Sequence, residues 1–194
     1  MLKIYTSILM MAIISVSPAS LAADVLTQTK AMIAAMQKID ANADKKNRHQ
    51  AFSEVDKFID FEQLSSNTIQ PHLSKFNAAQ VSDFKQHFKQ LIRLIAYPDS
   101  GTFFSVNSYT YDVAEINGDK AEIHMEVLVK EEDLDMDIGF NWHKKGTDWL
   151  LTDMSIDEDS LVKDYQNQFG RLIDKENVAG LLKKIKQKLA ELDQ

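Results

Sequence analysis

From Thr102 onward the spacing of apolar side chains changes from threes and fours to twos, and that switch points to helices packed on an antiparallel sheet. Before it, Val25, Leu26, Thr29, Met32, Ile33, Met36 and Ile39 fall at helical spacing, with Asp24 as the predicted N-cap. The stretch from Ala41 to Arg48 is polar and reads as a solvated turn, and Phe52, Val55, Phe58 and Ile59 make a second short apolar face. Asp60 with Gln63, and Asn77 with Gln80, stand at capping-box spacing. The second pair opens the clearest helix, whose stripe is Val81, Phe84, Phe88, Leu91, Ile92 and Ile95. Tyr97-Pro98-Asp99-Ser100-Gly101 is predicted to stop it, because proline disfavours helix at the residue before it.

Beyond the switch, Asn117-Gly118 is a two-residue hairpin signal between strands predicted over Tyr109–Ile116 and Lys120–Lys130. Leu134, Met136, Ile138, Phe140 and Trp142 alternate with polar residues in a third strand, and Lys144-Lys145-Gly146-Thr147 turns into a fourth, Trp149 to Ile156. Short turns between consecutive strands imply an antiparallel meander with one wet face. Two apolar stripes close the chain: Leu161, Tyr165, Phe169 and Leu172, then Val178, Leu181, Leu182, Ile185, Leu189 and Leu192. The predicted fold is α+β, a curved antiparallel sheet of four to five strands against N- and C-terminal helices.

The first residues set an address. Lys3 precedes an apolar run from Ile4 to Val16, Pro18 breaks it, and Ser20-Leu21-Ala22 supplies small residues for cleavage. The run is too short to span hydrocarbon comfortably, so residues 1–22 read as a cleaved signal peptide and 23–194 as a single exported domain, placed in the periplasm. Cysteine is absent, which excludes disulfides, thiolate metal sites and thiol nucleophiles. A net charge of −7 argues against wrapping nucleic acid or an anionic membrane, since both require a basic face.

Chemistry-bearing patterns are sparse. The sequence holds no GxSxG elbow, no HExxH and no glycine-rich phosphate loop, and so suggests neither a cofactor nor a metal. His49, His72, His87, His124 and His143 show no ligand spacing. Asp133, Asp135 and Asp137 share one side of a strand and lack the glycine and glutamate of a calcium loop. Asp157-Glu158-Asp159-Ser160 most simply caps the helix that follows. A small-ligand enzyme on such a sheet would draw on Asp112, Tyr109 and Tyr111, but Asp112 alternates with both tyrosines and faces the other way. An interaction protein with a filled core and an exposed apolar patch is a third reading.

The stretch from Asp148 singles out one of these. Trp149 leads a strand, Asp153 follows, Ser160-Leu161-Val162 starts a helix, and Tyr165, Gln168-Phe169 and a Leu181-Leu182-Lys183-Lys184-Ile185 helix complete the series. This pattern, with Phe58-Ile59-Asp60-Phe61 upstream, resembles the MlaC (toluene-tolerance) family of periplasmic phospholipid-binding proteins. The chain differs from the family pattern in having Glu158 and Asp159 where glycine usually precedes the serine, and Gln166 where arginine often follows the tyrosine.

The resemblance implies an NTF2/cystatin-like sheet enclosing an apolar cavity for acyl chains, and a monomeric carrier rather than an enzyme. It also implies work between an inner-membrane MCE-domain ABC transporter and an outer-membrane lipoprotein–porin complex, maintaining outer-membrane lipid asymmetry. The lining residues expected on this basis are Phe84, Phe88, Leu91, Phe104, Val127, Phe140, Trp142, Leu151 and Phe169. Hiding a methylene from water is worth about 0.8 kcal/mol, so two tails of about thirty methylenes resist an aqueous crossing by about 20 kcal/mol. A soluble protein with an oily hollow long enough for those tails lowers that barrier without chemistry.

Overall fold

The computed structural model describes residues 17–40, 43–131 and 133–192. The apolar run from Ile4 to Val16, expected to be part of a signal peptide, and the start of the predicted turn at Ala41 lie outside them. Among the described residues, five α-helices pack with a six-stranded antiparallel sheet. Helix α1 (Pro18–Met36) begins at a serine cap rather than at Asp24: Ser17 accepts from the Ser20 amide, and Pro18 occupies the first turn, where a missing N–H costs nothing. Its buried residues, Val25, Thr29, Met32, Ile33 and Met36, all lie beyond the predicted cleavage point.

Part of the predicted solvated turn is instead helix α2 (Lys45–Asp56), because Asp44 caps it through the Asn47 amide and Phe52 and Val55 bury its apolar side. Asp60 caps α3 (Phe61–Ile69) through the Gln63 amide and also pairs with Lys145 at the end of the sheet. Burial raises the Asp60 pKa, but these hydrogen bonds and the Lys145 charge outweigh it and hold the carboxyl below its usual range. A 3-10 turn, Gln70–Lys75, leads to the complete capping box of Asn77 and Gln80.

The main departure from expectation is α4 (Ala78–Val106), which passes through the Tyr97–Gly101 stop with Pro98 inside it. Proline removes one helical hydrogen bond, yet the residues around it are held by tertiary packing. Tyr97 is buried against Phe52 with a ring separation of 5.4 Å, and its hydroxyl donates to Asp56. Gly101 lets α4 cross the end of α1, where a Cβ would fall 2.8 Å from the Met36 carbonyl oxygen. Phe103 and Phe104 therefore belong to a helix and not to the start of the sheet.

The strand predicted over Tyr109–Ile116 is divided into β1 (Ser108–Tyr111) and β2 (Glu115–Asn117), which pair with successive parts of β3 (Lys120–Val129). Gly118 adopts a left-handed φ of 65° in the β2–β3 turn, as the hairpin signal requires. The meander continues through β4 (Leu134–Lys145), β5 (Asp148–Ile156) and the two-residue β6 (Asp159–Ser160). Asp135 and Asp137 remain on the polar side of β4, whereas Asp133 lies in the preceding turn at φ 50°. The two C-terminal stripes form α5 (Leu161–Leu192), broken by non-helical backbone at Asn177.

The β5–β6 turn carries a testable strain. Asp157 and Glu158 both have positive φ, 48° and 71°. Asp157 is compensated by its side chain, which accepts from the Asp137 amide at 3.0 Å, whereas Glu158 has only the steric cost of its Cβ. Glu158→Gly is therefore expected to stabilise the protein by about 1 kcal/mol, measured by reversible denaturation. No gain would show that the turn relaxes without strain.

Candidate functional site

The apolar interior is organised as two clusters that meet at one place. The first lies between α1, the second half of α4 and the inner face of the sheet, and contains Phe104, Val127, Phe140, Trp142 and Leu151 of the expected lining. The second lies between the first half of α4, α3 and α5, and contains Phe84, Phe88, Leu91 and Phe169. Phe84 stacks on Phe88 at 5.3 Å, and Phe169 and Tyr165 meet the Phe88 ring edge-on. Leu64 and Ile92 pack against both clusters.

At that junction lies a cavity of about 90 Å³. Its walls come from α1 (Met36), Ile59, α3 (Leu64), α4 (Phe88, Ile92, Ala96, Tyr97, Ser100), β5 (Leu151, Asp153, Met154) and the start of α5 (Leu161, Val162, Tyr165). Of the nine residues expected as acyl-chain lining, Phe88 and Leu151 stand in the wall of this cavity. Phe84, Leu91 and Phe169 are packed within the helical cluster, and Phe104, Val127, Phe140 and Trp142 are packed within the sheet cluster.

The cavity is mostly apolar where a hollow was expected, but it is far smaller than a sheath for two tails. Ligand pockets usually occupy about 300–1,000 Å³. The bulky residues that mark the interior in sequence occupy that space with one another. The wall residues that sequence reasoning missed are mostly smaller, and two carried a signal: Ile92 follows Phe88 by four positions, and Tyr165 precedes Phe169 by four.

The aspartate of the C-terminal motif has a structural task at this site. Asp153 accepts from its neighbour's amide at Met154 (2.8 Å), from the Ser160 hydroxyl (2.6 Å) and from the Val162 amide (3.1 Å). Ser160 in turn caps α5 by accepting from the Lys163 amide. Together they fix the helix start so that Leu161, Val162 and Tyr165 face the cavity. The predicted Asp157–Ser160 cap is thus carried by Ser160, with Asp153 as its support. Burial raises the Tyr165 hydroxyl pKa, in keeping with a ring set into an oily wall. Gln166, one residue on, donates to the Asn67 carbonyl and ties α5 to α3.

The alternative candidates do not assemble. Tyr109 and Tyr111 pack at the edge of the sheet cluster, while Asp112 is exposed just after β1. On the outer face of the sheet His124 lies between Asp137 (2.6 Å) and Glu122 (3.3 Å), and the bond to Asp137 raises its pKa despite partial burial. Among the described residues no group of three or more His, Asp or Glu is arranged to hold a metal ion, and no helix is long and apolar enough to cross a membrane.

This arrangement has counterparts. The sequence matches the model of the MlaC protein family over residues 23–187. No curated protein sequence matches it. Among solved structures it is similar to the phospholipid-binding protein from Ralstonia solanacearum, determined in complex with a phospholipid, with a TM-score of 0.70 at 19% identity. That match covers 89% of this chain and 98% of the other. With the family model spanning residues 23–187 of 194, the chain belongs to the MlaC family.

Proposed function

We propose that this protein is a periplasmic phospholipid carrier, which takes acyl chains between its sheet and helices and moves them between the outer and inner membranes. The observation that carries the reading is the apolar cavity at the junction of the two clusters, walled by five elements of the fold and by Ile59. The structural neighbour's phospholipid and the family match support the choice of ligand. Delivery to or from a membrane transport complex of the ABC type, and removal of residues 1–22 on export, belong to the same reading.

The cavity must widen to accept tails, and the fold has a place for that. Pro98 leaves α4 without one backbone hydrogen bond beside the cavity wall formed by Ala96, Tyr97 and Ser100. Outward movement of α4 at this point would separate the two clusters and join their interiors into one chamber. The nine residues expected as lining would then face the tails in two groups, with Phe88 and Leu151 at the boundary. Release is balanced against uptake, because tails leaving the protein exchange one apolar surrounding for another.

The deciding measurement is organic extraction of protein purified from its native compartment, followed by lipid mass spectrometry. Phospholipid in stoichiometric amount is the expected result. Protein that is folded yet carries no lipid, and that takes none from vesicles, would overturn the proposal.

A further inference from the structure

Across α4 from the cavity lies a second concavity of different chemistry. It measures about 380 Å³ and is formed between α2, α4 and the C-terminal half of α5. Lys45 and His49 enter from α2, His87 and Arg93 from α4, and Lys186 from α5, over a floor that includes Phe52. No Asp or Glu lines it among the described residues. In a chain of net charge −7 this is a local reversal of sign, and the charge distribution explains how it is possible. Residues 108–160, which form the sheet and its turns, hold fifteen Asp and Glu against four Lys, so the acidic balance resides there and not in the helices.

The cations are held in place from behind. Asp83 pairs with both His87 (3.1 Å) and Lys186 (2.8 Å). Asp56 takes Lys89 at 2.8 Å and the Tyr97 hydroxyl at 3.0 Å, and stands 3.5 Å from Arg93 Nε. That last contact is an ion pair without hydrogen-bond geometry, so Arg93 Nε is buried and has no acceptor. The guanidinium also lies over the Phe52 ring at 5.7 Å, which fixes its plane. His49 and His87 donate from Nδ1 to the backbone carbonyls of Lys45 and Asp83, leaving Nε2 of each ring for another partner.

A guanidinium whose Nε lacks an acceptor, flanked by an ammonium and two imidazoles, suits an oxyanion with several acceptor oxygens, as a phosphate has. We infer that the α2–α4–α5 groove is a phosphate-binding site, separate from the acyl-chain cavity and independent of whether the cavity carries lipid. The phosphate belongs either to free inorganic phosphate or to the head group of an anionic lipid, and one titration distinguishes them.

The test follows Arg93 Nε–H and the His49 and His87 ring signals by NMR as the folded protein is titrated. One arm uses inorganic phosphate, the other a short-chain phosphatidylglycerol kept below micelle formation, and sodium chloride of equal ionic strength is the control. Saturable shifts at these groups with phosphate alone assign free phosphate; shifts only with phosphatidylglycerol assign a lipid head group. Lys186→Gln is expected to weaken either response several-fold, and Arg93→Lys, which keeps the charge but loses the fork, by about tenfold. Shifts no larger than with chloride, or equal binding by wild type and both folded variants, would overturn the site. Lys186 is about half exposed on the surface of α5, so its variant tests the groove even if Arg93→Lys disturbs packing on Phe52.

Discussion

Ala96→Phe is expected to leave the protein folded and to reduce its bound phospholipid by about tenfold or more. Ala96 is the smallest side chain in the cavity wall, and it sits on α4 between Ile92 and Ser100, beside the point where the two clusters meet. A phenyl ring there fills the cavity and bridges the clusters, so α4 no longer separates from the sheet without losing new apolar contacts. Filling a void is mildly favourable, whereas overfilling costs about 1–3 kcal/mol, so stability should change little in either direction. Lipid mass spectrometry on the variant, paired with a thermal melt, checks both halves of the expectation. Normal lipid content in a folded Ala96→Phe protein would mean that the tails enter elsewhere.

An inward charge at Phe140 looks, from sequence, like the direct way to empty the same pocket. The structure gives a reason not to use it. Phe140 is fully buried in the middle of the sheet, opposite Ile123 on one neighbour and Met154 on the other. An aspartate there would be an unpaired charge in the core and would unfold the chain before it tested lipid binding.

The largest loss of stability from one polar side chain is expected at Asp153. Its carboxylate accepts three hydrogen bonds, two from backbone amides and one from the hydroxyl that itself caps α5. Asp153→Ala leaves those donors without their partner at the start of α5. Capping loss and unsatisfied donors together amount to about 2–4 kcal/mol. Asp153→Asn keeps one acceptor oxygen and should recover part of it. Denaturant unfolding of the two variants checks this order, and equal stability of alanine and wild-type proteins would show that α5 is positioned by packing alone.

Much of the fold was legible in the chain. Capping residues such as Asp60 and Asn77 marked helix starts because their side chains bond to amides only a few residues away. Alternation marked β3, β4 and β5 because each has one face buried and one wet. Local signals misled where distant residues outweighed them. Pro98 and Gly101 are helix breakers by themselves, yet α4 stays helical through them, with Tyr97 bonded to Asp56 on α2 and Gly101 set against the end of α1.

The candidate site was less legible, for a related reason. Aromatic bulk such as Phe84, Phe140 and Trp142 shows that a position is interior, but an interior residue may touch a void or another side chain with the same sequence signature. Beside Phe88, Tyr97 and Tyr165, the cavity wall includes modest residues, Ala96, Ser100 and Leu64, whose importance comes from what they fail to fill. Cationic side chains from α2, α4 and α5 lie far apart in sequence and only folding gathers them around Arg93.

Local spacing was enough for the meander, the caps at Asp60 and Asn77 and the family pattern from Trp149 to Phe169, since each depends on contacts within a few residues or on a repeated period. Only the tertiary structure decided that α4 continues past Pro98, that the interior divides into two clusters and where the space between them lies. Those outcomes depend on how volumes from separate elements fit together, and no local spacing encodes that fit.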